Sequence, residues 1–140
     1  MLNHYFYWMC DKMSFKWGKF YDVGKCMKNI SKKEEYQRSA VGRFYYAAFG
    51  LVKNYYEENH HQKVPSNGAH SFLIKNLKKS NFKEEVDLGT NLEKLREYRN
   101  HADYRNKFYL FNVKRAEKKY KTIVEILEDL DENPLYLRFK

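Results

Sequence analysis

The sequence predicts an all-α fold, an up-and-down bundle of four to five helices, and three observations carry that prediction. Glycine and proline are scarce, with six and two among 140 residues. Alanine, leucine, glutamate, lysine and arginine recur at helical spacing. Hydrophobic residues make up 43% of the chain and aromatic residues 18%, which is enough for the packed core of one ordinary domain.

The chain divides into an aromatic N-terminal arm, residues 1–14, one helical domain, residues 15–131, and a C-terminal tail, residues 132–140. The arm lacks the basic start and the long apolar stretch of a secretory signal. The sequence has no run of about 18 apolar residues that could span a membrane. Because Cys10 and Cys26 have neither disulfide nor metal spacing, we expect reduced thiols and a cytoplasmic protein.

The first two predicted helices supply much of the core. The first spans about residues 15–29, and its inward residues are Trp17, Phe20, Tyr21 and Met27. The pattern SKKE, residues 31–34, is typical of a capping box and predicts the start of a second helix that continues to about Glu58. Its stretch SAVGRFYYAAFGLV, residues 39–52, is apolar nearly all round, as expected of a helix in the middle of a bundle.

A loop and three more helices complete the predicted domain. A proline and an Asn-Gly pair predict a loop over residues 58–68, whose His60 and His61 we expect to face solvent. The remaining helices are predicted over residues 69–78, from a start between residues 83 and 90, and from an N-cap at Asn112 to Asp131.

The charge of the chain permits nucleic acid as a partner but does not require it. The formal net charge is +9, and a basic excess attracts polyanions. A lysine-rich solvated surface explains the same number equally well. The sequence shows no acidic cluster, no HExxH motif and no cysteine pair, so we expect no metal and no other cofactor.

The stretch LREYRNHADY, residues 95–104, gathers the groups that can do chemistry. Arginine presents a rigid, permanently charged fork that suits phosphate oxygens. Histidine titrates near neutrality and can take or give a proton. Together these groups suffice for metal-free cleavage of RNA, in which the 2′-hydroxyl attacks the adjacent phosphate and cations hold the developing charge. DNA lacks that nucleophile and should not be cut.

A helical wheel separates the two groups that this reaction needs. With Leu88 at zero, Arg99 falls on the apolar stripe, whereas Arg96 and His101 lie about 140° apart. They can meet if the helix bends or ends near Asn100. They can also meet if a second copy of the chain supplies one of them across a two-fold interface.

A structural interpretation of these residues competes with the catalytic one. Arg99 can be a buried arginine that pairs with Asp103 or with Glu93, and His101 can be a surface or cap residue. From residue types alone the structural interpretation is the more common one, because many charge clusters serve only the fold.

Three passages of the chain resemble the HEPN family, small α-helical domains of prokaryotic defence and toxin–antitoxin systems. SAVGRFYYAAF, residues 39–49, is similar to the family's central-helix pattern, and GAHSFLIKNL, residues 68–77, is similar to its short third-helix segment. LREYRNHADY is similar to its signature, an arginine, four to six variable residues and a histidine. The resemblance covers about residues 15–130.

The resemblance implies a bundle that dimerises with the signature at the cleft between subunits and, for active members, a metal-independent endoribonuclease. Carried over by position, Arg96 and His101 are the catalytic pair. The supporting candidates are Asn100, Arg99, Tyr104, Asp103 and Glu97, and the substrate-binding candidates on the central helix are Arg43 and Tyr46. The expected partners are RNA, a second copy of the chain and a nucleotidyltransferase antitoxin.

Two departures from the family pattern keep other functions open. Glu97 follows Arg96, where the family commonly has asparagine or aspartate. The ending Ala102-Asp103-Tyr104 is similar to a branch whose members often lack the histidine and accompany nucleotidyltransferases. One alternative is therefore a catalytically inactive module that binds a nucleotidyltransferase-type partner or a nucleotide. Another is general binding of nucleic acid through the lysine-rich surface.

Overall fold

The computed structural model describes residues 15–139, and the predicted arm, residues 1–14, lies outside them. Within the described residues, five α-helices and one 3₁₀ helix follow one another: α1 Gly18–Ile30, α2 Glu34–His60, α3 Ala69–Lys78, α4 Lys83–Tyr104, α5 Phe111–Glu132 and the 3₁₀ helix Leu135–Phe139. No strand occurs in this part of the chain, and the predicted all-α bundle is confirmed.

The helix α2 forms the centre of the bundle because it packs against α1, α4 and α5. Its fully buried hydrophobic residues are Ala40, Val41, Phe44, Tyr45, Ala47, Ala48 and Val52. Burial on nearly every side is what its apolar sequence predicts. The helix α4 contacts α2, α3 and α5, and it contributes the fully buried leucines Leu88, Leu92 and Leu95. None of the described helices is long and apolar enough to cross a lipid bilayer.

Two predicted helix starts are wrong, because neither Ser31 nor Asn112 occupies the N-cap position. The N-cap of α2 is Lys33, whose N–H donates to Ser31 Oγ at 3.1 Å, and no side chain caps this helix. Glu34 binds Arg38 instead of closing a capping box. The N-cap of α5 is Leu110, whereas Asn112 is buried in the first turn.

His60 is exposed as expected, although it belongs to α2 and not to the predicted loop. The helix α2 extends to this residue, and His60 Nε2 lies 2.7 Å from Oε2 of Glu85, whose side chain is only 1% exposed. The same carboxylate accepts hydrogen bonds from Tyr55 Oη at 2.9 Å and Ser80 Oγ at 2.7 Å. One buried acid therefore joins the end of α2 to the start of α4. His61 is exposed too, as predicted.

The closest approach of α1 to α2 yields a test of this packing. A Cβ added to Gly24 would lie 2.6 Å from Phe44 Cε1 and 3.2 Å from the carbonyl oxygen of Ala40. We expect Gly24→Ala to lower the free energy of unfolding by about 1–3 kcal/mol, because the extra methyl group forces the two helices apart. Chemical denaturation followed by circular dichroism measures the change.

The matched control for that test is Gly42→Ala in the middle of α2. A Cβ at Gly42 meets no described atom within 4 Å. We expect this variant to gain about 0.5–1 kcal/mol, because alanine is the better helix former. Equal stability of the two variants would contradict the close contact between α1 and α2.

Candidate functional site

The charged residues of LREYRNHADY lie on the last turns of α4. This helix continues through Asn100 and His101 to Tyr104, so a helix that ends near Asn100 is not the way in which Arg96 and His101 meet. Both residues remain on one helix, where five positions separate them by about 140° around the axis. Within one chain they therefore face different surroundings.

Arg99 points inward and joins α4 to α2. Its side chain is 14% exposed, its Nη2 donates to Tyr46 Oη at 2.9 Å, and its Nη1 donates to Asn100 Oδ1 at 3.0 Å. Its Nε lies 3.0 Å from Asp103 Oδ2, an ion pair whose geometry leaves the Nε–H without a hydrogen bond. The expected pairing of Arg99 with Asp103 is the one observed, since the alternative partner Glu93 binds Lys78 at 2.6 Å.

Aromatic rings complete the surroundings of the Arg99 guanidinium. Its central carbon lies 5.7 Å, 5.4 Å and 5.7 Å from the ring centroids of Tyr45, Tyr46 and Tyr104. A guanidinium over the faces of aromatic rings is attracted by their negative electrostatic potential. Tyr104 is itself 74% exposed, so it covers the outer side of this cluster at the protein surface.

Arg96 is bound far less completely than Arg99. Its Nη1 donates one long hydrogen bond, 3.3 Å, to Ser71 Oγ, and its buried Nε–H has no partner among the described residues. Its Nη2 also has no partner among the described residues, and it is not fully buried, so an acceptor can reach it.

Arg96 lines a groove of about 440 Å³ between α3 and α4, which we call the lysine groove. Its other lining residues are Ser71, Ile74, Lys75, Lys78, Lys79 and Glu93. Four of these seven side chains are cationic, and the one carboxylate is already paired with Lys78. The groove therefore carries excess positive charge and suits an anion.

His101 lies elsewhere. It is half-buried, it does not line the lysine groove, and its side chain has no hydrogen bond or ion pair to another described residue. On the wheel it shares a face with Lys94 and Glu97, whose side chains bind each other at 2.9 Å. Its imidazole is thus uncommitted among residues 15–139 of one chain. Glu97, the acidic neighbour of Arg96 in the sequence, is held by that lysine.

The two predicted substrate-binding residues, Tyr46 and Arg43, both lie on α2. Tyr46 accepts the Arg99 hydrogen bond described above. Arg43 lies one turn before Tyr46 on α2 and places its guanidinium 5.1 Å from the ring centroid of Phe20 and 5.8 Å from that of Tyr46. Arg43 does not line the lysine groove, and its contact with Phe20 joins α2 to α1.

His70, in the first turn of α3, is an imidazole that the sequence analysis missed. Its Nδ1 lies 2.6 Å from Tyr45 Oη, and its ring centroid lies 4.2 Å from that of Phe49. Burial and the charges of Arg96 and Arg99 lower the pKa of His70 from its ordinary value of 6.5. The neutral imidazole therefore predominates at neutral pH. Its partners are distant in the chain, so no local spacing could reveal it.

Arg38, also missed, fixes the end of the helix that carries the motif. It donates hydrogen bonds to the carbonyl oxygens of Ala102 at 2.8 Å, Arg105 at 2.6 Å and Asn106 at 2.9 Å. The carboxylate of Glu34 holds the other side of this guanidinium at 2.7 Å. A cation on the last carbonyls of a helix is favourable, so Arg38 stabilises the segment just after His101.

Comparisons of the chain with protein-family models, with curated proteins and with solved structures found no match. The resemblance to HEPN domains therefore stays a prediction. Over residues 15–139, no three histidine, cysteine, aspartate or glutamate side chains form a group that could hold a metal ion.

The electrostatic coupling between α3 and α4 can be tested through His70. We expect Arg96→Gln to raise the pKa of His70 toward its ordinary value, because the positive guanidinium disfavours the imidazolium form. An NMR titration of the histidine ring protons measures it. Arg115→Gln is the control, since Arg115 lies over the ring of Phe111 and should leave the pKa unchanged. A His70 pKa that stays fixed in Arg96→Gln would contradict the proximity of these groups.

The same lowered pKa predicts how stability depends on pH. The unfolded chain binds a proton at His70 more readily than the folded chain does. The contribution of His70 to stability is therefore present above its unfolded pKa and is lost as the pH falls through its folded pKa. We expect His70→Phe to flatten the pH dependence of the free energy of unfolding in that window, as measured by urea denaturation. An unchanged dependence would contradict the assignment.

Proposed function

We propose that this chain is a metal-independent endoribonuclease of a toxin–antitoxin or antiviral defence system. It acts in the cytoplasm at a composite site in the cleft of a homodimer. The observation that carries the proposal is Arg96, whose guanidinium makes one long hydrogen bond and no ion pair with the described residues, at a groove lined by three lysines. Such a fork suits the phosphate of an RNA backbone, and the lysines suit the neighbouring phosphates. The resemblance to HEPN domains supports the same reaction.

The reaction needs no metal, because RNA carries its own nucleophile. A base removes the proton from the 2′-hydroxyl, whose oxygen attacks the adjacent phosphorus as the bond to the 5′-oxygen breaks. An acid protonates the leaving 5′-oxygen, which gives a 2′,3′-cyclic phosphate and a 5′-hydroxyl. Arg96 stabilises the charge that develops on the phosphate oxygens. His101 supplies the acid or the base.

A second copy of the chain supplies His101 to Arg96 in this proposal. Within one chain the two side chains face different directions on one continuous helix, so a two-fold interface is the arrangement that joins them. Large apolar side chains are exposed where α4 ends and α5 begins: Tyr104, Tyr109, Leu110 and Phe111. An exposed apolar patch beside the motif suits such an interface.

The second candidate is a catalytically inactive module that binds a nucleotidyltransferase-type partner or a nucleotide. The commitment of Arg99 to Asp103 and Tyr46 favours it, because one of the two arginines of the motif is then a structural residue. The exposed aromatic patch at the end of α4 would in that case contact the partner protein instead of a second copy. The two candidates differ in whether the purified protein cuts RNA.

RNA digestion in the presence of EDTA tests the proposal. We expect the wild-type protein to cleave single-stranded RNA to products with 2′,3′-cyclic phosphate ends and to leave DNA intact. Arg96→Ala and His101→Ala should each lower the rate at least about 100-fold, as expected for loss of a charge-stabilising or proton-transfer group. Gel analysis of a labelled oligonucleotide measures the rates.

The matched controls for the digestion are His61→Ala and Arg115→Ala, an exposed histidine and an exposed arginine outside the site. Both should cleave at the wild-type rate, and only the wild type and these controls should be toxic on expression. Intact RNA with the wild-type protein, and equal harmlessness of wild type and His101→Ala, would favour the partner-binding candidate. Binding of duplex DNA that depends strongly on salt and ignores Arg96→Ala would favour general nucleic-acid binding.

Mixing two inactive variants tests the composite site directly. A dimer of one Arg96→Ala chain and one His101→Ala chain keeps one complete site, since the intact Arg96 and the intact His101 lie on opposite subunits. After co-refolding, we expect about a quarter of the wild-type activity, because half of the dimers are mixed and each has one of two sites. Failure of the mixture to regain activity, with dimerisation verified by sedimentation, would place both groups in one subunit.

A further inference from the structure

The hydrogen bond between Tyr45 and His70 fixes which nitrogen of the imidazole carries the proton. Tyr45 is fully buried, and its hydroxyl bonds to no described residue other than His70. Burial, the largest influence, raises the pKa of Tyr45, so its hydroxyl stays protonated. If the imidazole donated, the buried tyrosine proton would have no acceptor, at a cost of roughly 1–3 kcal/mol. Tyr45 therefore donates to His70 Nδ1.

The other nitrogen of His70 must then be a donor. A neutral imidazole carries one N–H, and Nδ1 accepts, so the proton is on Nε2. The Nε2–H has no hydrogen-bond partner in the described part of the chain. It is also not sealed from solvent, because the fully buried unpartnered side-chain nitrogens there are those of Arg96 and Arg99. The Nε2–H is therefore open to a ligand.

The charges that act on His70 are positive, and that of Arg96 has no ion pair with a described residue. Arg96 and Arg99 are the charged groups whose fields act on His70, and both are cationic. Arg96 reaches Ser71, the next residue in the chain, and Arg99 is neutralised by Asp103. At the junction of α2, α3 and α4, the groups that still lack partners are therefore N–H donors, and the unbalanced charge is positive. A ligand that fits it must bring acceptors and negative charge.

We infer that His70 and Arg96 form an oxyanion-binding pair, in which the His70 Nε2–H and the Arg96 guanidinium bind oxygens of one phosphate. The inference rests on the proposed function to the extent that the phosphate belongs to the RNA backbone. In this role His70 is a neutral donor fixed by Tyr45, separate from the acid or base that His101 supplies. The bound anion opposes the field of the arginines, so phosphate binding should raise the pKa of His70 and take up protons below neutral pH.

NMR of the histidine nitrogens tests the tautomer and the contact together. We expect free His70 to show the Nε2–H tautomer at pH 7 and its pKa to rise on addition of a 2′-O-methyl oligoribonucleotide, which cannot be cleaved. In Tyr45→Phe, His70 should no longer be fixed in one tautomer, while the aromatic ring at position 45 is kept. An Nδ1–H tautomer in the wild type, or a His70 pKa unaffected by saturating oligonucleotide, would overturn the inference.

Binding measurements separate this inference from the cleavage proposal. We expect His70→Phe, which keeps an aromatic ring against Phe49, to weaken binding of the 2′-O-methyl oligonucleotide about tenfold, the usual effect of one lost hydrogen bond to a charged group. His70→Gln, which keeps a side-chain N–H, should recover part of the loss, and His61→Phe should change nothing. Thermal denaturation verifies that each variant is folded. If His70→Phe does not fold, Tyr45→Phe takes its place in the binding measurement.

The possible outcomes distinguish the two claims and the sources of the phosphate. Wild-type affinity in folded His70→Phe, with RNA still cut, would overturn the inference and leave the ribonuclease proposal standing. His70-dependent binding without any cleavage would support the inference and contradict the ribonuclease. Inorganic phosphate and AMP are the parallel probes: His70-dependent binding of AMP that exceeds that of the oligonucleotide would support the oxyanion pair and assign it to a mononucleotide.

Discussion

The guanidinium of Arg99 brings a permanent charge into the bundle, and the partners that satisfy it fix the geometry of the site. Tyr46 belongs to α2, whereas Asn100 and Asp103 belong to α4 itself. The hydrogen bond to Tyr46 is the one that joins the two helices, so α4 cannot rotate against α2 without losing this contact of the Arg99 charge. That constraint directs Arg96 toward α3 and leaves His101 on another side of the helix.

Two arginines one turn apart on α4 thus have different roles. Arg99 has a carboxylate, a hydroxyl and an amide oxygen as partners, and it stabilises the contact between helices. Arg96 has one long hydrogen bond and faces a groove with uncompensated lysines. Both side chains carry the same charge, so charge alone does not distinguish Arg96 from Arg99. The distinction lies in which guanidinium still has donors to offer, and in that respect Arg96 is the group suited to a phosphate.

The sequence predicts the helices and much of the core well because both depend on local periodicity. The burial of Leu88, Leu92 and Leu95 follows from their steps of four and three, and the Arg99–Asp103 pair follows from a spacing of four. The contacts of His70, of Arg38 and of Glu85 join residues distant in the chain, where no periodicity operates. The starts of α2 and α5 also differ from the predicted caps.

A crystal structure with a 2′-O-methyl oligoribonucleotide bound tests the central claim most directly, because it locates the phosphate. We expect one phosphate within hydrogen-bond distance of the Arg96 guanidinium, with His101 of a second copy facing the same linkage from the opposite side. A phosphate bound away from Arg96, or an assembly in which the guanidinium and every imidazole of residue 101 line unconnected surfaces, would contradict the claim.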